Sequence, residues 1–363
     1  MEKKLKILPI QIIEKEDKIV LKRGVTSIAI PDKSSLIIIK VIQKALLQSP
    51  KSIDELTALF SGSIRGLIED FINHLINKKF IVFLENDELD DKVYDETPQD
   101  IFYWHFNKSQ DEIAGILNEK QWAFIGINEL NKRLIQALFS EGKNDCIVVD
   151  DPSLRNINFF DDNHKIIDDF WDDLRITKVD GEKFLENYKD IGFIVAASEF
   201  GSFNLLEPWN ANAAKYAIPF YPLVLQNMVG YAGPLVIPDE GACLECLKLR
   251  QNSASEDFQE KRIAEEYAFE GQKTVAYHNG MLNILAETGA FDLIKFKSNI
   301  QWEIGTFCEI NLLGGSMNRR KLLKAPRCSV CSPLKDTPLV NIHKQLTSND
   351  AWDEIEQTVG YHE

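Results

Sequence analysis

The sequence predicts an α/β protein in two parts, a winged helix-turn-helix followed by a doubly wound sheet that carries a four-cysteine zinc site. Three observations carry that expectation. Residues 1–84 hold short β-branched runs, three helical patterns and a closing strand. Beyond an acidic break, apolar runs alternate with amphipathic helices, the pattern of a mostly parallel sheet. Two Cys-x-x-Cys pairs, Cys243/Cys246 and Cys328/Cys331, supply four thiolates, which make a closed tetrahedral shell for zinc.

In the first part, residues 5–13, 18–22 and 26–30 read as strands, separated by polar residues and by Gly24. Ser34 and Ser35 open a helix that stops before Pro50. Ser52-Ile-Asp-Glu55 is a capping box, in which a hydroxyl and a carboxylate satisfy orphan amides at a second helix start. A third helix spans about 63–78, with Ile64, Leu67, Ile68, Phe71, Leu75 and Ile76 in an i, i+3, i+4, i+7 stripe. A strand over 80–84 closes the unit.

Residues 85–100 carry eight acids against one lysine and almost no apolar side chains, so they read as a linker. Strand–helix alternation follows over 101–335. Strands are expected at 122–127, 146–149, 191–196, 220–225 and 234–237, with a helix at 130–140. Residues 336–363 form a tail.

The gap between the cysteine pairs is too long for a compact zinc ribbon, so the metal is expected to clip distant segments together. Cys146 and Cys308 stand alone in apolar contexts and read as core. No apolar run reaches the length of a membrane span, and the start lacks the features of a signal peptide. A cytoplasmic, reducing location follows, in keeping with thiolates held for metal. The formal net charge of −15 opposes binding to nucleic acid. The six histidines are scattered, and the acids at 161–173 read as a solvated face.

Gly126 falls at the strand–helix turn where a dinucleotide fold carries its glycines, which let backbone amides approach phosphate. Asn128 and Glu129 bring side chains, and Glu129 a negative charge, to the place a pyrophosphate would take. Asp150 ends the next strand, where an acid can contact a ribose hydroxyl. Ser198 and Glu199 end a later strand, where an adenylating enzyme wants an aspartate to help hold magnesium and ATP. These six residues read as a vestigial nucleotide site, and ATP is not expected to bind.

Residues 219–226 (PFYPLVLQ), 229–238 (VGYAGPLVIP) and 241–250 (GACLECLKLR), with 326–333 (PRCSVCSP), resemble the ThiF-like proteins of azole-forming peptide antibiotic pathways. Those proteins are related to ubiquitin-activating and microcin-adenylating enzymes. The resemblance covers roughly residues 100–335 and implies a Rossmann-like fold with the two zinc pairs. Many members carry an N-terminal winged-helix RiPP recognition element, to which residues 1–84 are similar in element order. There the leader of a ribosomal precursor peptide adds as a strand to the small sheet, beside the third helix. Carried to this chain, the resemblance implies an edge at Thr26, Ser27, Ile28, Ala29 and Ile30. It also implies an apolar groove of Ile68, Ile72 and Ile76, with Arg65, Lys78 and Lys79 meeting leader acids.

The function the resemblance implies is a non-catalytic subunit that presents a precursor peptide to a YcaO cyclodehydratase for ATP-dependent thiazoline or oxazoline formation. A homodimer and a flavin-dependent dehydrogenase of the same pathway are further expected partners. Two alternatives stay open: an adenylating enzyme that activates a peptide or carrier-protein carboxylate, and a winged-helix DNA-binding regulator. The acidic balance of the chain weighs against the second.

Overall fold

The run expected as one strand over 5–13 folds as two, β1 (Leu5–Ile7) and β2 (Gln11–Glu14), in the computed structural model. Pro9 lies between them and has no amide to give a ladder. The structure describes residues 3–83, 97–106, 108–186, 190–253, 275–300 and 302–332, with 260 and 263. They fall into two compact units. One comprises Met1–Glu119 with Ser140–Lys143 and Lys297–Ile300; the other comprises Lys120–Phe139, Asn144–Phe296 and Gln301–Glu363.

In the first unit β2, β3 (Ile19–Arg23) and β4 (Thr26–Ile30) form an antiparallel sheet in that order. Three helices follow, α1 (Ser35–Gln48), α2 (Ile53–Thr57) and α3 (Arg65–Asn77), and then β5 (Ile81–Phe83), which pairs antiparallel with β1. The capping box is present: the Glu55 amide donates to Ser52 Oγ at 3.2 Å and the Ser52 amide to Glu55 Oε2 at 2.8 Å. One core unites the sheet and helices through Leu21, Ile28, Ile42, Leu56, Ile68, Ile72 and Phe80. Two more helices, α4 (Pro98–His105) and α5 (Gln110–Leu117), belong to the same unit. Pro98, read in sequence as linker, instead opens α4, because the first helical position needs no amide donor. Residue 84 of the expected closing strand, residues 85–96 of the expected linker, and the tail at 336–363 lie outside the described residues.

The second unit is built on an eight-stranded sheet. Its parallel half runs β8 (Ile176–Asp180), β7 (Cys146–Asp150), β6 (Gln121–Ile125), β9 (Ile191–Ser198), β10 (Phe220–Gln226). Strands β11 (Val229–Ala232), β12 (Thr306–Asn311) and β13 (Ser316–Lys321) extend it antiparallel. Residues 234–237 do not form the expected strand; Val236 alone bridges Phe220. In chain order the parallel strands stand 3-2-1-4-5, so the strand order reverses between β6 and β9, where doubly wound folds open a crevice.

Helix α6 (Glu129–Ser140) follows β6 and buries Leu130, Leu134, Ile135 and Leu138. Helices α7 (Gly181–Glu186), α8 (Glu207–Lys215), α9 (Leu244–Ser253) and α10 (Asn279–Lys297) follow among the described residues. Gly289 lets α10 approach β10, since a Cβ there would meet Leu223 Cδ1 at 2.9 Å. Among the described residues no helix is long and apolar enough to cross a membrane.

Candidate functional site

The four cysteines of the two pairs converge. Cys243 precedes α9, Cys246 sits in its first turn, and Cys328 and Cys331 lie on the turn that follows β13. Their sulfurs all fall within 4.8 Å of one another. Cys243–Cys328 and Cys246–Cys331 measure 3.5 and 3.4 Å, and Cys243–Cys246 measures 3.9 Å. A disulfide needs about 2 Å, so none is formed. A tetrahedral ion with metal–sulfur bonds of about 2.3 Å sets its sulfurs about 3.8 Å apart; the set fits such an ion. The start of α9 and the Ala325 amide, 3.3 Å from Cys246 Sγ, favour thiolate. The crowded thiols diverge in acidity: hydrogen bonds from the Cys243 and Cys331 thiols lower Cys246, while Cys243 is raised by its hydrogen bonds to Cys246 and Cys331 and by burial. Cys146 and Cys308 are buried, as expected.

The six residues of the nucleotide reading also gather, at the carboxyl ends of β6, β7 and β9. Each is already engaged. Gly126 has φ +102°, and a Cβ there would come 2.8 Å from both Asn128 Nδ2 and Leu154 Cβ. Asn128 donates to the Leu154 and Ala197 carbonyls at 3.0 and 2.9 Å, and its Oδ1 accepts from the Asn131 amide at 2.9 Å. Glu199 accepts from the Leu130 amide at 3.1 Å, from the Glu129 amide, and from the Asn156 side chain. The Gly126 amide is held by the Val149 carbonyl at 2.9 Å. The first amides of α6, the donors a phosphate would use, thus face acceptors of the chain itself. Asp150 is held in a two-pronged ion pair by Arg155, at 2.6 and 2.7 Å. Ser198 Oγ donates to the Gly201 carbonyl at 2.9 Å, and Glu129 pairs with Arg133.

Glu199 is fully buried. Burial raises its carboxyl to about 7, against the opposing pull of its Leu130 and Asn156 donors. Tyr277, hydrogen-bonded to Glu199, is pushed up to about 12 by burial and by the carboxylates of Glu199 and Glu129. Asn131, Asn156 and Tyr277 were missed in sequence. Only Asn131 carried a signal, lying in the first turn of the helix after Gly126. Of the acids at 161–173, Asp161 caps a turn, and Asp168, Asp172 and Asp173 pair with Lys132, Lys178 and Arg175.

In the first unit, β4 ends its sheet, and no described strand pairs with its outer edge. Ser27 and Ala29 are exposed, Thr26 and Ile30 half-buried, and Ile28 is buried. The expected groove is corrected in part. Ile68 and Ile72 are fully buried in the unit's own core and offer no face to a ligand; Ile76 and Phe71 are half-buried beside that core. Arg65 is exposed, and its Nε donates to the Phe60 carbonyl at 3.4 Å. Lys79 has φ +61°, Nζ donating to the His105 carbonyl at 2.8 Å; Thr26 Oγ1 lies 3.1 Å from His105 Nδ1. Thr26, Lys78, Lys79 and Phe102 line a cavity of about 340 Å³ at the start of β4.

The strand order and the turn after β6 define a doubly wound α/β fold, and four cysteines gather beside it. Among solved structures the chain is similar to E. coli MccB bound to ATP, with a TM-score of 0.64 at 15% identity, covering 90% of this chain and 99% of that one. It is similar also to the microcin C7 biosynthetic enzyme MccB in complex with N-formylated MccA (TM-score 0.65, 14% identity, 91% of this chain and 100% of that one). A heterocyclase in complex with substrate and cofactor matches at TM-score 0.56 and 14% identity, over 92% of this chain and 40% of that one. At these identities the likeness is one of fold. No protein-family model and no curated protein matches the sequence.

Proposed function

We propose that this chain is a leader-peptide-binding, non-catalytic subunit that presents a ribosomal precursor peptide to a YcaO-type cyclodehydratase. The observation that carries the reading is the state of the α6 amides: Glu199 and Asn128 take the donors a phosphate would need. Placing a triphosphate there would require breaking buried bonds and bringing phosphate against a carboxyl group. The outer edge of β4, which no described strand pairs, supports the other half of the reading, because an extended peptide gains main-chain hydrogen bonds there. In this reading residues 1–84 are a winged-helix recognition element, and the leader lies along Thr26–Ile30. Ile30, Phe71 and Ile76, not Ile68 and Ile72, contribute its apolar contacts, and Lys78, Lys79 and Arg65 meet its acids. Holding the leader raises the local concentration of the core peptide at the partner's active site.

The metal is zinc in this reading, held by Cys243, Cys246, Cys328 and Cys331. A closed thiolate shell leaves no position for water, so the ion is structural. A homodimer, a cytoplasmic location and a flavin-dependent dehydrogenase downstream belong to the same proposal. The adenylating alternative is favoured by the fold shared with ATP-bound MccB.

Fluorescence anisotropy with a labelled leader, from a short precursor gene beside this one, tests the first half of the reading. Pyrophosphate release from ATP, with and without the full precursor, tests the second. The proposal expects saturable leader binding and no release. Peptide-dependent release would establish the adenylating alternative.

A further inference from the structure

A cavity of about 440 Å³ lies between the carboxyl-terminal half of α10 and strands β12 and β13, apart from the Gly126 turn and the cysteine cluster. It is within the size range of small-molecule sites. One wall is fixed by Asp292, which accepts from Tyr221 Oη at 3.0 Å and pairs with Arg319 at 2.7 and 3.0 Å and with Lys295 at 2.9 Å. These partners satisfy Asp292 and hold the wall rigid.

Among the described residues, three polar groups of the cavity have no such partner: no ion pair involves Glu303 or Lys321, and Thr306 Oγ1 is buried without a hydrogen bond. Thr306 and Lys321 are directly opposed across the β12–β13 ladder, so their side chains leave the sheet on the same face and both line the cavity. Trp302, braced edge-on by Phe296 with ring centroids 4.5 Å apart, and Leu235 give the cavity an apolar surface. An uncommitted cation beside an unsatisfied hydroxyl calls for a carboxylate. An uncommitted carboxylate calls for an ammonium. The apolar surface calls for a hydrocarbon side chain.

We propose that this cavity binds a free L-α-amino acid with an apolar side chain. Its carboxylate meets Lys321 and Thr306, its ammonium meets Glu303, and its side chain lies against Trp302 and Leu235. The same carboxylate chemistry occurs at a peptide C-terminus, which lacks the ammonium. Titration of the full chain with L-phenylalanine, N-acetyl-L-phenylalanine and L-phenylalaninamide separates these sources, read by calorimetry or ligand-observed NMR.

The proposal expects saturable binding of L-phenylalanine and a loss of at least about tenfold for each derivative, since each lacks one charge-assisted contact. Lys321→Met and Glu303→Gln should each weaken binding by about tenfold or more, with the thermal midpoint unchanged because both side chains are exposed. Leader affinity should not move. Equal or tighter binding of the acetylated form would overturn the amino acid in favour of a peptide C-terminus. Absence of saturable binding, or binding untouched by both variants, would overturn the site.

Discussion

Glu199 and Lys79 are the two residues whose local chemistry says most. Glu199 occupies the helix terminus where a nucleotide fold places an anion, and α6 holds it with main-chain amides. Its carboxyl rises from 4.5 to about 7, so the folded state favours the protonated form. The stability this lends is complete below the unfolded value near 4.5 and is lost as pH rises through about 7. Linkage puts the loss at roughly 3 kcal/mol. Urea unfolding at stepped pH should show that decline in the wild type and a flat profile in Glu199→Gln. Lys79 takes the left-handed position after α3, with its amide bonded to the Ile76 carbonyl and the Phe80 amide to the Leu75 carbonyl at 2.9 Å each. Glycine is the favoured residue at that point of such a cap. A lysine there accepts strain and sets its ammonium at the start of β4. Lys79→Gly should therefore raise unfolding stability by about 1 kcal/mol while it lowers leader affinity. A fall in both quantities would show that the lysine serves the fold and not the peptide alone, and unchanged or tighter leader binding would remove its role toward the peptide.

At the scale of elements, the account rests on a clip and an edge. The cysteine cluster brings the start of α9 to the turn after β13, and in the proposed reading a metal bound there contributes directly to folding. Metal analysis should find one zinc per chain. Cys328→Ser should lose the ion and lower the thermal midpoint, while residues 1–84 keep their affinity for leader. The edge is β4. If a leader pairs with it, N-methylation of alternate leader amides should each cost roughly 1 kcal/mol of binding, with the intervening amides insensitive. The small sheet, the three helices and the strand–helix alternation were legible because period-2 and period-3.6 apolar patterns and a capping box mark them directly. The two cysteine pairs that gather were legible because Cys-x-x-Cys spacing is local. Strand β8, whose Thr177 and Lys178 are exposed, and β13, exposed along its whole length, gave no apolar signal. Their pairing is decided by neighbours distant in sequence. The groove reading erred for a related reason: periodicity shows that Ile68 and Ile72 share a face of α3, not that the core already fills it.

For the whole molecule, the proposed reading assigns one role to each compact unit: a sheet edge for a peptide to one, and to the other a doubly wound fold in which the first amides of α6 are internally satisfied. The formal net charge of −15 bears on the regulator alternative. Gel-shift assays at low salt should show no duplex DNA binding, since phosphates meet a repulsive surface. The most direct test of the central claim is calorimetric titration of the intact chain with magnesium ATP. The account predicts no saturable heat at concentrations up to the millimolar range. Stoichiometric binding at micromolar affinity, with the triphosphate ordered against the Gly126 turn in a crystal of the complex, would contradict it.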